Sequence, residues 1–329
     1  MRCVLSRLFL RLTCVGFVLI SCRLTAAPPP IDALRVTILS TNLAGNPGQG
    51  GIGEWGFAAL VEANGFKLLF DTGHRPDTVL NNARELKVDL SDVTHVVLSH
   101  HHEDHIGGLL RLRESLADQF PEALTQIHVG RGAFWSRGEG EFDGDGNALI
   151  AMRSQSEQLG GQFHEHAEAV ALAPGVWLTG PIPRLFDEQR AMRNPVIAPG
   201  ADAVPDTLPE DIALVLDTTK GLVVLTGCGH AGLINTLLQA RTVARPDATV
   251  YAALGGFHLA GTPDDRITWT AERLAELGLQ HLHAAHCTGI APVYQIKDLL
   301  HLPRESAHVG AVGAVFDLSS GIHPLWIAR

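Results

Sequence analysis

Five times along the 329-residue chain a short apolar run stops abruptly in a loop that carries histidine. Lys67-Leu68-Leu69-Phe70 leads into Asp71-Thr72-Gly73-His74, and His95-Val96-Val97-Leu98 leads into Ser99-His100. Leu222-Val223-Val224-Leu225 precedes Thr226-Gly227-Cys228-Gly229-His230, and Val250-Tyr251-Ala252-Ala253-Leu254 precedes Gly255-Gly256-Phe257-His258. His281-Leu282-His283-Ala284-Ala285 runs into His286-Cys287-Thr288-Gly289. Runs this short, rich in aliphatic and β-branched residues and bounded by glycine, read as buried strands. Helical patterns separate them. Thr262-Pro263-Asp264-Asp265 offers an N-cap, a proline at the first helical position and acids in the first turn. Ile267, Leu274 and Leu277 then recur at helical spacing until Gly278 supplies a stop. His230 to Val243 also reads as helix. Alternating strands and helices predict a layered α/β domain. Loops that follow the strands of such a domain gather at one edge of the sheets, so the histidines are expected to converge.

The densest of these loops is Ser99-His100-His101-His102-Glu103-Asp104-His105. Imidazole nitrogen and carboxylate oxygen are both ligands for borderline metals such as zinc. Because alternate positions after a strand point to different sides, His100 and His102 are expected to face one ion, and Asp104 and His105 a second. Two-metal sites hold their ions about 3.5–4 Å apart and activate a shared water. His101 is expected to point away and to support the others. Asp71 is read as a carboxylate that orients a ligand histidine by hydrogen bonding, with direct metal binding as the other role open to it.

His-x-His-x-Asp-His after an apolar strand, preceded by a strand ending in Asp71-Thr72-Gly73, resembles the metallo-β-lactamase superfamily. Gly56-Phe57, Leu178-Thr179-Gly180-Pro181-Ile182-Pro183-Arg184, Leu225 to Gly232, Gly255 to Leu259 and His286-Cys287-Thr288-Gly289 are similar to its branch named for dihydropterin-ribofuranosylaminobenzene phosphate synthase. The resemblance spans nearly all of the chain after residue 27. It implies a four-layer αββα sandwich with a metal site at one edge. It also implies that His286 is the last histidine ligand, joining Asp104 and His105. Cys228 falls where many members place a metal-bridging aspartate. A thiolate binds zinc directly, whereas His230 offers a neutral imidazole that needs no deprotonation. His230 is favoured as the ligand, with Cys228 as ligand or supporting group. The separate histidine that many members place ahead of this strand has no counterpart, since Leu208-Pro209-Glu210-Asp211 offers only carboxylates.

Several residues are given blander roles. His258, at the end of a strand, is a candidate for substrate contact. His164 and His166 lie outside the strand-and-loop pattern and are expected to be solvated. The stretch 131–161 is Gly-rich and charged, and reads as an insertion or a flap over the site. Within it, Asp143-Gly144-Asp145-Gly146-Asn147 hints at a calcium loop. A twelve-residue loop from Asp143 would place Ala148 where glycine belongs and Ser154 where the bidentate glutamate belongs, so a solvated turn is expected.

Residues 1–27 carry Arg2, Arg7, Arg11 and Arg23 and no acid, with an uncharged stretch from Leu12 to Cys22. That stretch is shorter than the roughly 20 apolar residues a spanning helix needs. With Thr25-Ala26-Ala27 after it, it reads as a secretory signal, followed by a stiff Pro28-Pro29-Pro30 spacer over 28–33 and a single domain over 34–329. Export to the periplasm or outside the cell is expected, with lipid anchoring at Cys22 in Leu19-Ile20-Ser21-Cys22 as the alternative. Without residues 1–27 the chain has 21 basic and 35 acidic side chains, a net charge of −14. Such a surface repels phosphate backbones, so nucleic acid is excluded as a partner. A small anionic substrate is not, because a bound metal dominates the local field. Cys3, Cys14 and Cys22 belong to the signal, which leaves Cys228 and Cys287; whether those two pair stays open.

The expected activity is hydrolysis of an ester, lactone, amide or phosphoester by a metal-activated water, with Asp104 as the catalytic carboxylate. The expected cofactor is zinc, one or two ions per chain, with iron or manganese as alternatives. A pterin- or phosphate-substrate synthase or transferase is the second reading. A non-catalytic metal-binding protein that retains the fold is the third.

Overall fold

A computed structural model describes residues 29–46, 48, 50–138, 144–188 and 195–328. The expected secretory signal, its three cysteines, Pro28 and Asp143 lie outside the described residues.

Two sheets form the centre. The first runs in the spatial order β17 (Gly321–His323), β16 (Val315–Asp317), β1 (Leu34–Ser40), β2 (Ala58–Ala63), β3 (Phe66–Phe70), β4 (His95–Leu98), β5 (Gln126–Gly130) and β6 (Gln162–His166). The second runs β15 (Ala307–Val309), β14 (His281–Ala284), β13 (Val250–Gly255), β12 (Gly221–Thr226), β11 (Leu214–Thr218), β8 (Val176–Leu178) and β7 (Val170–Ala173). A small ribbon pairs β9 (Pro195–Val196) with β10 (Val204–Pro205). All five predicted runs are strands. In the first sheet β3, β4, β5 and β6 are parallel, and in the second β12, β13, β14 and β15 are parallel. Their C-terminal ends therefore open toward one edge.

Strand alternation sorts the side chains into three cores. Leu68, Phe70 and Val97 point between the sheets and meet Leu214, Leu216, Val223, Leu225 and Leu254 from the facing sheet. Leu69, Val96 and Leu98 point outward, against α1 (Thr78–Glu85), α3 (Leu109–Leu116) and α4 (Ala148–Gln158). A single helical turn, α2 (Glu103–Ile106), precedes α3. On the far side Leu222, Val224 and Ala253 pack under α5 (Leu233–Ala244), α6 (Asp264–Glu276) and α7 (Ile290–Leu299). The result is an αββα sandwich. Both faces of the central strands are buried, which is why those runs read as continuously apolar.

Some expectations need correcting. The helix predicted from His230 begins only at Leu233, because Gly229 (φ +64°) and Gly232 (φ +98°) turn the chain first. His230 is thereby released into the loop. At α6, Pro263 rather than Thr262 holds the N-cap position, and Gly278 (φ +78°) ends the segment as predicted. Of the 131–161 stretch, residues 131–138 and 144–161 are described, and the latter carry α4. Asn147 caps α4 by accepting from the Leu149 amide, and α4 leads into β6, which pairs in parallel with β5. His164 and His166 are likewise not freely solvated. They are half-buried on β6, and the His128 ring of β5 stacks at 5.1 and 5.2 Å from theirs.

Candidate metal centre

The site begins with Asp71, the first residue after β3. Its backbone is left-handed (φ +56°), a conformation that a short polar side chain tolerates. Its carboxylate is fully buried. Oδ1 accepts from the Ser99 amide at 2.7 Å, and Oδ2 accepts from Ser99 Oγ at 2.8 Å. Oδ2 also lies 2.7 Å from His105 Nδ1. A carboxylate cannot donate, so the proton of that last bond sits on His105 Nδ1. Nε2 of the same ring is the atom turned toward the site. It lies 3.2 Å from Cys228 Sγ and 3.7 Å from Asp104 Oδ2. The neighbouring residues of the Asp71 loop hold the turn that carries Asp104 and His105. Thr72 donates to the His105 carbonyl through both its amide (2.7 Å) and its hydroxyl (3.0 Å). Phe57 donates to the Asp104 carbonyl at 3.1 Å.

Two groups of donors face each other across this loop. In the first, His100 Nε2 and His102 Nδ1 stand 3.0 Å apart, and the His230 ring lies 4.8 and 5.0 Å from theirs. In the second, Asp104 Oδ2 lies 3.1 Å from His286 Nε2, beside His105 and Cys228. Within each set, His100–Cys228–His230, His100–His102–Asp104 and Asp104–His105–Cys228–His286, one donor atom per residue lies within 4.8 Å of every other. Cys228 therefore belongs to both sides, and the choice posed by the sequence between Cys228 and His230 dissolves: both are in place. His230 also supplies the third imidazole beside His100 and His102 that the Leu208–Asp211 segment lacked.

The loop carrying Cys228 comes this near only because Gly227 has no side chain. A Cβ there would meet Ser99 Oγ at 2.1 Å and Asp71 Oδ2 at 2.5 Å. His258 and His286, like Asp71, are non-glycine residues in the left-handed region, each with φ +50°. Strain of about 1–3 kcal/mol per such residue collects at functional sites.

Burial holds His100 and His230 well below the ordinary imidazole range, helped by the neighbouring rings. His102 is pushed down to about 3, again chiefly by burial. These three are neutral at neutral pH, the form that ligates metal. His105 is pulled the other way, up to about 9: burial alone would lower it, but the Asp104 and Asp71 carboxylates outweigh burial. Asp104 is held far below the usual carboxylate range, because His105 and His286 overcome its burial. Burial drives the Cys228 thiol well up. The buried atom His230 Nε2 has no hydrogen-bond partner among the described residues. Orphaned nitrogens are costly unless something else pairs with them. With the mixture of imidazole, carboxylate and thiol, the donor set fits transition-metal binding.

The remaining sequence candidates fall around this centre. His101 turns away from it, with Nδ1 2.5 Å from Glu210 Oε1. Glu210 Oε2 accepts from Arg137 Nη2 at 2.7 Å, and Arg137 Nε donates to Asp206 Oδ2 at 3.0 Å. Sequence reasoning missed this buried chain, as well as Trp55, whose ring lies 4.9 Å from that of His286 while 57% of the residue stays exposed. His258 is partly exposed, with its ring 4.6 Å from that of His230.

A model of the metallo-β-lactamase superfamily matches residues 56–243. The chain belongs to this superfamily. It is 28% identical over 294 residues to a 7,8-dihydropterin-6-methyl-4-(β-D-ribofuranosyl)-aminobenzene-5′-phosphate synthase of Methanocaldococcus jannaschii, covering 86% of this chain and 97% of that one. A solved metal-dependent hydrolase of the β-lactamase superfamily is 26% identical with a TM-score of 0.67, over 86% of this chain and 98% of its own. The metallo-β-lactamase fold protein YhfI from Bacillus subtilis shares the fold at 14% identity and a TM-score of 0.53, over 87% of this chain and 100% of its own. Most members of the superfamily are enzymes, and the fold is one that works with metals.

Proposed function

We propose that this metallo-β-lactamase superfamily member is a metal-dependent hydrolase acting on a small ester, lactone, amide or phosphoester. One observation carries the reading: two adjoining groups of donors, one around His100, His102 and His230 and one around Asp104, His105 and His286, share Cys228 between them. Two divalent ions bound there would lower the pKa of a shared water toward neutrality and polarise the bond it attacks.

The protein's own part is positioning. Asp104 is anionic and its side chain stays 16% exposed, so it can accept a hydrogen bond from a water entering from the open side. Asp71 and Ser99 fix the His105 ring, and Ser99 Oγ lies 2.9 Å from His100 Nδ1, which leaves Nε2 of His100 facing His102. Trp55 covers the His286 side and offers a flat apolar wall to a substrate. Zinc is the proposed ion, given imidazole and thiolate donors; iron and manganese are the alternatives. A synthase acting on a pterin-like or phosphorylated substrate is the second reading. It is favoured by the 28% identity to the archaeal synthase across 97% of that protein.

The test pairs elemental analysis with turnover. Zinc-loaded protein is expected to hold two ions and to hydrolyse members of a panel of esters, lactones, amides and phosphodiesters. His102→Ala is expected to keep its fold and lose both an ion and turnover. Folded protein that takes up no transition metal would end the proposal, and metal-loaded protein that turns over nothing on the panel would leave hydrolysis without support.

A further inference from the structure

We infer that Cys228, Cys287 and His258 form a third cation site, beside the proposed metal pair and selective for a soft, thiophilic ion such as Cd2+ or Cu+. The sulfurs of Cys228 and Cys287 and a ring nitrogen of His258 lie within 4.8 Å of one another. Both cysteines are free and 3% exposed. Neither Cys287 nor His258 belongs to the donor groups on the two sides of the metal pair.

Three loops build the site, one after each of the parallel strands β12, β13 and β14. Gly256 lets them touch, since a Cβ there would meet Gly227 O at 2.1 Å and Cys287 Sγ at 3.0 Å. The His258 amide donates to Cys287 Sγ at 3.3 Å, which ties the histidine loop to the sulfur. Cys287 Sγ faces the Cys228 carbonyl at 3.7 Å. The left-handed backbone of His258 (φ +50°) holds its side chain in the turn, and its buried Nδ1 has no hydrogen-bond partner among the described residues. A buried nitrogen left without a partner is unfavourable, and a cation removes that cost.

Donor chemistry sets the selectivity. Two sulfurs and one imidazole favour soft ions, whereas the pair beside them is built mainly from nitrogen and oxygen. Cys228 is common to both, so an ion held through Cys287 and His258 draws on the same sulfur as the metal pair. The sequence left open whether these cysteines join in a disulfide; the structure shows them free and placed to chelate.

The probe is one equivalent of Cd2+ added to the zinc-loaded chain, read by X-ray absorption at the cadmium edge and by the thiolate-to-cadmium charge-transfer band in the ultraviolet. Two sulfur neighbours per cadmium are expected, from Cys228 and Cys287. In Cys287→Ser, the charge-transfer intensity should fall to about half, with circular dichroism verifying the fold and zinc content unchanged. One sulfur neighbour or none in the wild type overturns the inference. So does a charge-transfer band that Cys287→Ser leaves intact. The wild-type measurement needs no substitution, so it decides the matter even where the variant folds poorly. Zinc content and turnover report on the hydrolase reading separately.

Discussion

Replacing Asp71 by Asn removes a charge while leaving the backbone undisturbed, since asparagine also tolerates the left-handed conformation at φ +56°. The carboxylate now serves three donors: the Ser99 amide at 2.7 Å, Ser99 Oγ at 2.8 Å and His105 Nδ1 at 2.7 Å. An amide cannot serve all three. With its oxygen toward His105, its NH2 faces the Ser99 amide, donor against donor, in a place without solvent. With its oxygen toward Ser99, its NH2 faces His105 Nδ1, and the histidine must move its proton to Nε2, the atom beside Cys228 and Asp104. Each arrangement leaves one buried donor unmet or spoils one ligand, at about 1–3 kcal/mol. A factor of ten corresponds to about 1.4 kcal/mol, so a loss of roughly 10–100-fold in metal affinity is expected, the range seen when the partner of a ligating histidine is removed. Competition against a chromophoric zinc chelator measures it. The protein should also unfold at lower urea when stripped of metal, by an amount in the same range. An Asp71→Asn variant that binds zinc within about twofold of the wild type, while His105→Ala loses the ion, would refute the orienting role.

Other expectations concern the frame and the identity of the ion. Arg137 is buried and bonds Glu210, Asp206 and the carbonyls of Gly132 and Trp135. Arg137→Met takes the cation from buried Asp206 and leaves Glu210 with His101 alone, and should cost about 3–5 kcal/mol in urea unfolding. Phe70→Ala, at the fully buried end of β3, should cost about 3–5 kcal/mol by opening a cavity between the sheets. His128 is held down to about 3 by burial and by His166, His95 and His164 around it. A histidine whose folded pKa is depressed contributes stability above its unfolded pKa of about 6.5 and loses it as pH falls toward the folded value. Between about pH 7.5 and pH 5 the wild type should therefore lose about 2 kcal/mol more than His128→Gln; equal losses would show that this ladder does not govern acid sensitivity. Cys228→Asp exchanges a soft donor for a hard one. It should lower the zinc-to-manganese ratio taken up from an equimolar mixture by about tenfold, as measured by elemental analysis.

How far the fold was legible depended on burial. Leu68 to Phe70, Val96 to Leu98 and Leu222 to Leu225 are covered on both faces, so their apolar runs were uninterrupted and their ends were marked by glycine or a polar loop. The edge was harder. Gln162-Phe163-His164-Glu165-His166 carries a single apolar residue, and Phe163 alone joins the core beneath the helices. The other face of β6 is filled by His164 and His166 against His128. Imidazole counts as polar in a hydropathy pattern yet stacks as a flat ring when a neighbouring strand supplies another. That pairing exists only through the register of β5 with β6, which no local window contains. The start of α5 failed for a different reason. His230 follows Leu225 to Gly229 closely enough to look helical, but two left-handed glycines, three residues apart, delay the helix and free the imidazole.

The site itself was half legible, and the division follows from how its donors are brought together. His100, His102, Asp104 and His105 come from one turn after one strand, so spacing alone declared them. His230 and His286 come from other strands, and only the rule that parallel strands present their C-terminal loops to one edge put them within reach. The sequence favoured His230 over Cys228, because it offered one ligand position and two candidates. In the structure the loop after β12 passes between the donor groups, so Cys228 lies near both while His230, two residues on, turns to His100 and His102. Gly227 is what admits that passage, with Ser99 and Asp71 pressed against the place its side chain would fill. The same carboxylate that orients His105 thus also sets how near Cys228 can come, which ties the geometry of both donor groups to residue 71.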